Sequence, residues 1–253
     1  MHDVMKIAIK IILLVGVLAY LVFGIVNLSR DEDQRICIGT EIIIKDSTNC
    51  RFVDENFVEG LIAKTKKSIK NTPIRQIDIK YIEQFVQASP YIDSALCYYT
   101  PNDIMCICVT PRKPVLHVIP DTGDSYYMDM SGNDMPTDLF MLDLCLATGN
   151  ISKEFAKEHL VQIASYVNTH SPWNTEIQQI YVKTPKHIEL IPLTGEHVIV
   201  IGEPTNIENK LNRLSIFYKE GLDKAGWNKY SIIDLNYANQ VVCTKKKEPK
   251  KNK

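Results

Sequence analysis

The tripeptide Asp121-Thr122-Gly123 matches the aspartic-protease signature and is the first place where this sequence could do chemistry. That reaction needs two carboxylates sharing one proton, so a single triplet must find a second copy. Here the triplet follows Pro120 in a linker rather than sitting between apolar strands, which fits a turn. Asp129, Asn133 and Asp134 could loosely ligate calcium, yet no bidentate glutamate stands at the required distance. Ser131-Gly132-Asn133-Asp134 reads instead as a hairpin turn. The six histidines are scattered singly, with no H-E-x-x-H, and neither G-x-S-x-G nor a Gly-rich phosphate loop occurs. Arg112-Lys113 beside Pro114, and Lys64-x-Lys66-Lys67, read as solvated cations rather than anion sites. No nucleophile, base and orienter come together, so the sequence argues against catalysis and implies no cofactor and no metal.

Seven cysteines, Cys37, Cys50, Cys97, Cys106, Cys108, Cys145 and Cys243, make an odd count without C-x-x-C spacing. That argues against a zinc site and against a complete disulfide framework. Most lie in apolar runs such as ALCYY, IMCICV and LDLCLA, where cysteine behaves as a small buried hydrophobe. A Cys37–Cys50 or Cys97–Cys106 bridge stays open in an oxidising compartment. The formal net charge is −1, which gives no drive toward nucleic acid. The balance is uneven, because residues 245–253 carry six lysines against one glutamate. Residues 244–253 therefore read as a disordered basic tail.

The positions that could bind something must be held by the elements around them, and the N-terminus is the most informative. Residues 11–26, IILLVGVLAYLVFGIV, are an unbroken apolar run, extended past Lys10 by Ile7 to Ile9. A helix over 7–28 at ~1.5 Å per residue is long enough for the ~30 Å hydrocarbon core, with Lys10 snorkelling. No A-x-A-like cleavage site follows, so an uncleaved anchor is expected rather than a signal peptide. Lys6 and Lys10 before the span place residues 1–6 in the cytoplasm and the bulk outside.

After a 29–35 linker, residues 36–45 read as a strand. Asp54 and Asp78 can cap two short amphipathic helices, the second stopped by Pro90. Tyr91–Tyr99 and Ile104–Val109 flank the turn 100–103 as a hairpin, giving the order β-α-α-β-β. Val115–Ile119 leads onward, and 126–134 form a second hairpin-like element. After a loop, Ser152 or Asn150 starts a helix with Ala156, Leu160, Ile163 and Val167 on one face. Strands follow at 177–182, 187–193 and 197–201. A helix from Asn206 then carries Ile207, Leu211, Leu214 and Tyr218 in one stripe. A single closing strand is expected over 231–242. The fold class is α+β in two successive units, the second mostly antiparallel with flanking helices.

An anchor followed by β-α-α-β-β resembles a membrane-tethered POTRA domain. The segment IKYIEQFVQASPYIDSALCYYTPNDIMCICVTPRKPVLHV (79–118), with S-P-Y-I-x-S-A and V-x-x-R-K-P-V, resembles the POTRA module of the FtsQ/DivIB family of bacterial division proteins. YYMDMSGNDMP (126–136) and VIVIGEPTNIENKLNRLSIFYKEGL with IIDLNYANQVV resemble that family's β-domain and its ending. The resemblance implies a POTRA domain over 36–119 and a β-domain over 120–243. It also implies a non-enzymatic, single-pass inner-membrane scaffold with its bulk in the periplasm, acting at the division septum. Such scaffolds recruit FtsB- and FtsL-type partners and so help control septal peptidoglycan synthesis, with the POTRA domain meeting further division components. A POTRA-bearing chaperone or transport component is the rival, set back by the single POTRA unit and the absence of a barrel.

In the family, the FtsB-type partner pairs with the last strand. By residue match the family's D-L-R-Y ending falls on Asp234-Leu235-Asn236-Tyr237, so Tyr237 takes the place of the contact tyrosine. The implied partner-binding residues are Asn236, Tyr237, Ala238, Asn239, Gln240, Val241 and Val242, with Asn236 standing where arginine is usual. Independently, no proline or charge interrupts 237–242, so an edge strand there would be free to accept another.

Overall fold

A computed structural model describes residues 10–24, 35–46 and 52–246. Residues 10–24 form a helix, α1, whose apolar side chains are exposed, Leu13, Tyr20 and Phe23 among them. No helix among the described residues is long and apolar enough to cross a membrane. Positions 7–9 and 25–28 of the expected span, like residues 1–6, lie outside the described residues.

The chain divides into two compact units, Met1–Pro111 and Arg112–Lys253. In the first, β1 (Gly39–Ile44), α2 (Glu55–Lys64), α3 (Ile79–Gln87), β2 (Ile92–Tyr99) and β3 (Ile104–Pro111) follow in the expected order. Both helices start where a carboxylate can cap an orphan N–H. Phe57 N donates to Asp54 at 2.7 Å and Tyr81 N to Asp78 at 3.0 Å. The sheet order is β1-β3-β2, with β1 parallel and β2 antiparallel to the central β3. Strand alternation sends Met105, Ile107 and Val109 inward with Val58, Ile82 and Val86 of the helices, all of them buried. The expected linker ends one residue too late: Arg35 already belongs to this unit, pairing with Asp103 at 2.5 Å.

The second unit begins earlier than the expected boundary at 119/120. Strand β4 (Pro114–Pro120) pairs antiparallel with β5 (Tyr126–Asp129) and parallel with β7 (Leu146–Gly149). Hydrophobic continuity from β3 conceals this in the sequence, but pairing partners, not apolarity, decide which core a strand joins. Strand β7 itself falls in the stretch expected to be a loop. The other strands are β6 (Asp134–Pro136), β8 (Ile177–Thr184), β9 (His187–Pro192), β10 (Val198–Gly202), β11 (Tyr230–Asp234) and β12 (Val242–Lys245). They form one sheet in the order β12-β11-β10-β9-β8-β7-β4-β5-β6, in which five of the eight pairings are antiparallel.

Two interrupted helices cover this sheet. One runs α4 (Lys153–Phe155), a π turn Ala156–Leu160, then α5 (Val161–Thr169), and Ser152 caps it at 3.1 Å. After the short α6 (Trp173–Glu176), the other runs α7 (Ile207–Phe217), a π turn Tyr218–Leu222, then α8 (Asp223–Ala225). Leu160, Ile163, Val167, Leu211 and Leu214 pack in one cluster with Ile180, Val182, Ile188, Leu190, Ile199 and Ile233. The whole is α+β, as expected.

The six described cysteines are all free thiols. The Cys97–Cys106 bridge does not form, because the register sets Tyr98 opposite Cys106 and so turns the Cys97 and Cys106 side chains to opposite faces of the sheet. Cys37 is also free, and Cys50 lies outside the described residues.

Candidate partner-binding edge

The stretch 231–242, expected to be one closing strand, is two strands and a turn. Strand β11 runs parallel to β10 in the register Val198↔Ile232, Ile199↔Ile233 and Val200↔Asp234, so it lies inside the sheet. Leu235, fully buried, makes the last bond of that ladder, its N–H donating to Val200 O at 2.8 Å. The Asp234 carboxylate then accepts from Asn236 N at 2.8 Å, an Asx bend that turns the chain out of the sheet. Asn239 takes a left-handed conformation, φ 58°, which asparagine tolerates better than other non-glycine residues. The chain returns as β12, antiparallel to β11, with Asp234↔Val242 and Ile233↔Cys243.

Of the expected binding residues, then, Asn236, Tyr237, Ala238, Asn239 and Gln240 sit exposed in a turn rather than along an edge. Val241 leans on the core and Val242 opens β12. The expected basic tail starts too early as well. Thr244 and Lys245 belong to β12, and Lys246 reaches Glu196 at 2.5 Å. Residues 247–253 lie outside the described residues.

Two cations of α7 hold this ending, and the sequence reading passed over both. Lys210, only 6% exposed, donates its ammonium to Ile201 O at 2.7 Å and Glu203 O at 2.8 Å. Burial pushes its pKa down, aided by the Arg213 charge and opposed by Glu203 and Asp234. One turn on, Arg213 donates Nη1 to Tyr237 O at 2.5 Å and Gln240 O at 2.6 Å, and Nη2 to Leu235 O at 2.8 Å. Parallel strands β10 and β11 both end toward α7, and each cation caps the carbonyls where one strand stops. The planar guanidinium holds its donors in a fixed fork, and here the fork meets three carbonyls at once. The available signal was the three-residue spacing of Lys210 and Arg213 flanking the apolar stripe Leu211 and Leu214. Gly202, φ 66°, leaves room for Asn236: a Cβ there would meet Asn236 Oδ1 at 2.4 Å. Between α7 and the turn lies a cleft of ≈ 570 Å³ lined by Asn206, Asn209, Asn212, Asn236 and Asn239 with Arg213.

Strand β12 ends the sheet order, so among the described residues no strand pairs with its outer side. Lys246 N donates inward to Lys229 O at 3.1 Å. Antiparallel alternation then turns the backbones of Thr244 and Val242 toward β11 and leaves the N–H and C=O of Cys243 and Lys245 on the open side. Val242 and Tyr237 are 42% and 50% exposed, and Thr244 and Lys245 are exposed too. Such an edge is a template for another strand.

Where β12 leaves the sheet, a buried aromatic cluster lies below it. His197, 3% exposed, has Nε2 2.8 Å from the Tyr218 hydroxyl, and its ring packs against Tyr218 and Trp227. Burial lowers the His197 pKa, Lys246 lowers it further, and Glu176 opposes. A depressed histidine stabilises the fold above the unfolded pKa of ~6.5, and that stability is lost as pH falls through the folded value. The unit should therefore lose thermal stability as pH drops below ~6.5, and His197→Phe should flatten that dependence in melting curves.

The other candidates hold no chemistry. Asp121, Thr122 and Gly123 form an exposed bend after β4. The Asp129 carboxylate, set for calcium by residue type alone, is consumed locally. It accepts from Ser131 N at 2.9 Å, Asn133 N at 2.8 Å and Asn133 Nδ2 at 3.0 Å, and Arg112 Nη1 lies 2.6 Å away. Burial works to raise its pKa, but the Asn133 and Arg112 contacts win and hold it low. Among the described residues no three His, Cys, Asp or Glu side chains gather to hold a metal ion.

Comparison with known families assigns both units. A family model described as "FtsQ/DivIB, C-terminal related" matches residues 113–244, just over half of the chain. A second, described as "POTRA-like domain", matches residues 35–110. The two matches meet at the structural division between Pro111 and Arg112. No curated protein matches the sequence.

Proposed function

Because this chain belongs to the FtsQ/DivIB family of cell-division proteins, we propose that it is an envelope scaffold that recruits FtsB- and FtsL-type partners by strand addition. Both matched families are non-catalytic scaffold domains, and the FtsQ/DivIB match implies partners among division proteins. The observation that carries the finer reading is the open side of β12, with the N–H and C=O groups of Cys243 and Lys245 unpaired by any described strand. A partner segment laid there gains ladder hydrogen bonds for affinity, while the outward Val242 and Thr244 and the neighbouring Tyr237 choose among partners. Lys245 favours a segment with acidic residues.

In this reading residues 7–28 anchor the chain in the inner membrane, residues 1–6 stay in the cytoplasm, and both units work in the periplasm at the septum, where recruitment bears on peptidoglycan synthesis. The POTRA unit is left to meet other division components. A photo-crosslinker installed at Thr244 in dividing cells tests this. Adducts with an FtsB-type division protein are expected, and Tyr237→Glu should weaken them. Adducts mainly with outer-membrane assembly or secretion machinery would overturn the reading in favour of a POTRA-bearing chaperone.

A further inference from the structure

His197 is a buried titratable ring placed where the outermost strand lets go of the sheet. It precedes β10, at the end of the sheet where β11 starts and β12 stops. Its Nε2 meets the Tyr218 hydroxyl, but Nδ1 is buried without a hydrogen-bond partner among the described residues. Gly195 closes over that nitrogen: a Cβ there would stand 2.8 Å from Nδ1. Glu176 Oε2 is a second buried atom without a partner, while Oε1 accepts from the Thr194 hydroxyl at 3.0 Å.

Lys246 links this cluster to β12. Its side chain is 28% exposed, whereas the Glu196 carboxylate it pairs with is 76% exposed. That pair and the bond from Lys246 N–H to Lys229 O tie down the end of the strand. An ion pair with so exposed a partner holds weakly. A neutral imidazole can leave one nitrogen unprotonated, but a protonated ring makes both nitrogens donors. The new Nδ1 proton would find no acceptor in place, and the Lys246 charge is near enough to act on the ring. Of the other groups around it, Glu176 opposes Lys246. Burial and Glu176 push the Tyr218 hydroxyl up, so it stays neutral, and Lys246 holds the Glu196 carboxyl low. Asp223 accepts from Trp227 Nε1 at 3.2 Å, and the Lys229 ammonium lies 5.7 Å from the centre of the Tyr230 ring.

We propose that His197 is a proton-operated latch on β12: the protonated ring repels Lys246 and frees the end of the strand. The weakest joint opens first, because Tyr218 and Trp227 pack the ring from inside while the Lys246 bonds lie at the surface. Once Lys246 leaves, water reaches Nδ1 and the ring returns toward its ordinary pKa of ~6.5. Opening is therefore favoured as pH falls below ~6.5. The consequence for binding rests on the strand-addition reading: the edge takes a partner in neutral medium and gives it up in acid.

The test is hydrogen exchange of the full chain at about pH 7.5 and about pH 5.5, expressed as protection so that the intrinsic pH dependence cancels. The inward amides of Thr244 and Lys246 should lose protection by roughly threefold or more in acid. That loss should respond little to low urea, because a local opening exposes little surface. His197→Phe keeps a ring that cannot titrate and should show equal protection at both values. Lys246→Met removes the repelled charge and should cut the acid loss at Thr244 by about half or more; it is the variant to read if His197→Phe fails to fold. No acid loss in the wild type, a loss that follows urea as steeply as in β8 and β9, or an undiminished loss in both variants would each overturn the latch. An acid-labile β12 in a chain whose Thr244 photo-crosslinker captures no division protein would uphold the latch and overturn strand addition instead.

Discussion

Lys245→Pro is expected to weaken binding of the partner strand by about 100-fold while β11 and β12 stay paired. The Lys245 N–H faces the open side, so proline deletes a donor only the partner uses, and its ring obstructs the approach. A proline that removes a needed bond and clashes costs about 3 kcal/mol, and each 1.4 kcal/mol is tenfold in affinity. Thr244, before it, is already extended, as a residue preceding proline should be. Thr244→Pro deletes an inward N–H instead, so it should loosen the hairpin itself. Lys245→Ala separates charge from hydrogen bonding and should keep most of the affinity. Titration with a partner-strand peptide, alongside melting curves, reads all three. A folded Lys245→Pro chain that binds as tightly as wild type would sink strand addition at β12. Proline at Asn239 is a poorer probe, because φ 58° there already forbids it.

The second large effect should come from Arg213→Met, which keeps the aliphatic stem and removes the fork. Hydrogen bonds to a charged group contribute ~1.5–3 kcal/mol each in favourable sites. Two of the three carbonyls here are exposed and can turn to water, so a total near 2 kcal/mol is the sounder expectation. For a unit of this size that corresponds to a fall in Tm of roughly 4–8 °C. Hydrogen exchange should accelerate first at residues 242–245, well before the buried amides of β8 and β9. Arg213→Lys should recover less than half of the loss, since its shorter, strongly hydrated ammonium lacks the fixed fork that meets Leu235, Tyr237 and Gln240. Uniform exchange across the unit would show that the clamp merely adds general stability.

Much of the fold was legible because local chemistry announced it. Asp54, Asp78 and Ser152 each cap the helix expected to follow, and the hairpin turns at 100–103 and 131–134 lie where their residues demanded. Strand β7 was not legible. Leu-Ala-Thr-Gly is short, lacks strong alternation, and exists because parallel β4 and β8 flank it from distant parts of the chain. The ending misled for a related reason. Ser231 to Val242 is rich in strand formers, and the local marks of the turn, the Asx bend at Asp234 and the left-handed Asn239, are weak ones. What holds the bend is Arg213, far back on α7, collecting three carbonyls. The boundary error has the same source, since Val115–Ile119 has strand character whichever sheet it joins.

The fully buried core of the second unit closes at Leu235, seven residues before β12 begins. Beyond that point the chain contributes an edge but only partly buried side chains, Val241 and Cys243. In the proposed reading, competence to fold and competence to assemble lie in consecutive stretches. In that reading, a nonsense mutation or a protease cut at the exposed turn would leave the buried core in place and remove the edge, with loss of the Arg213 contacts to Tyr237 and Gln240. On the same reading such a molecule would keep the POTRA unit's contacts while offering no edge at its other end, and the damage would be dominant rather than silent.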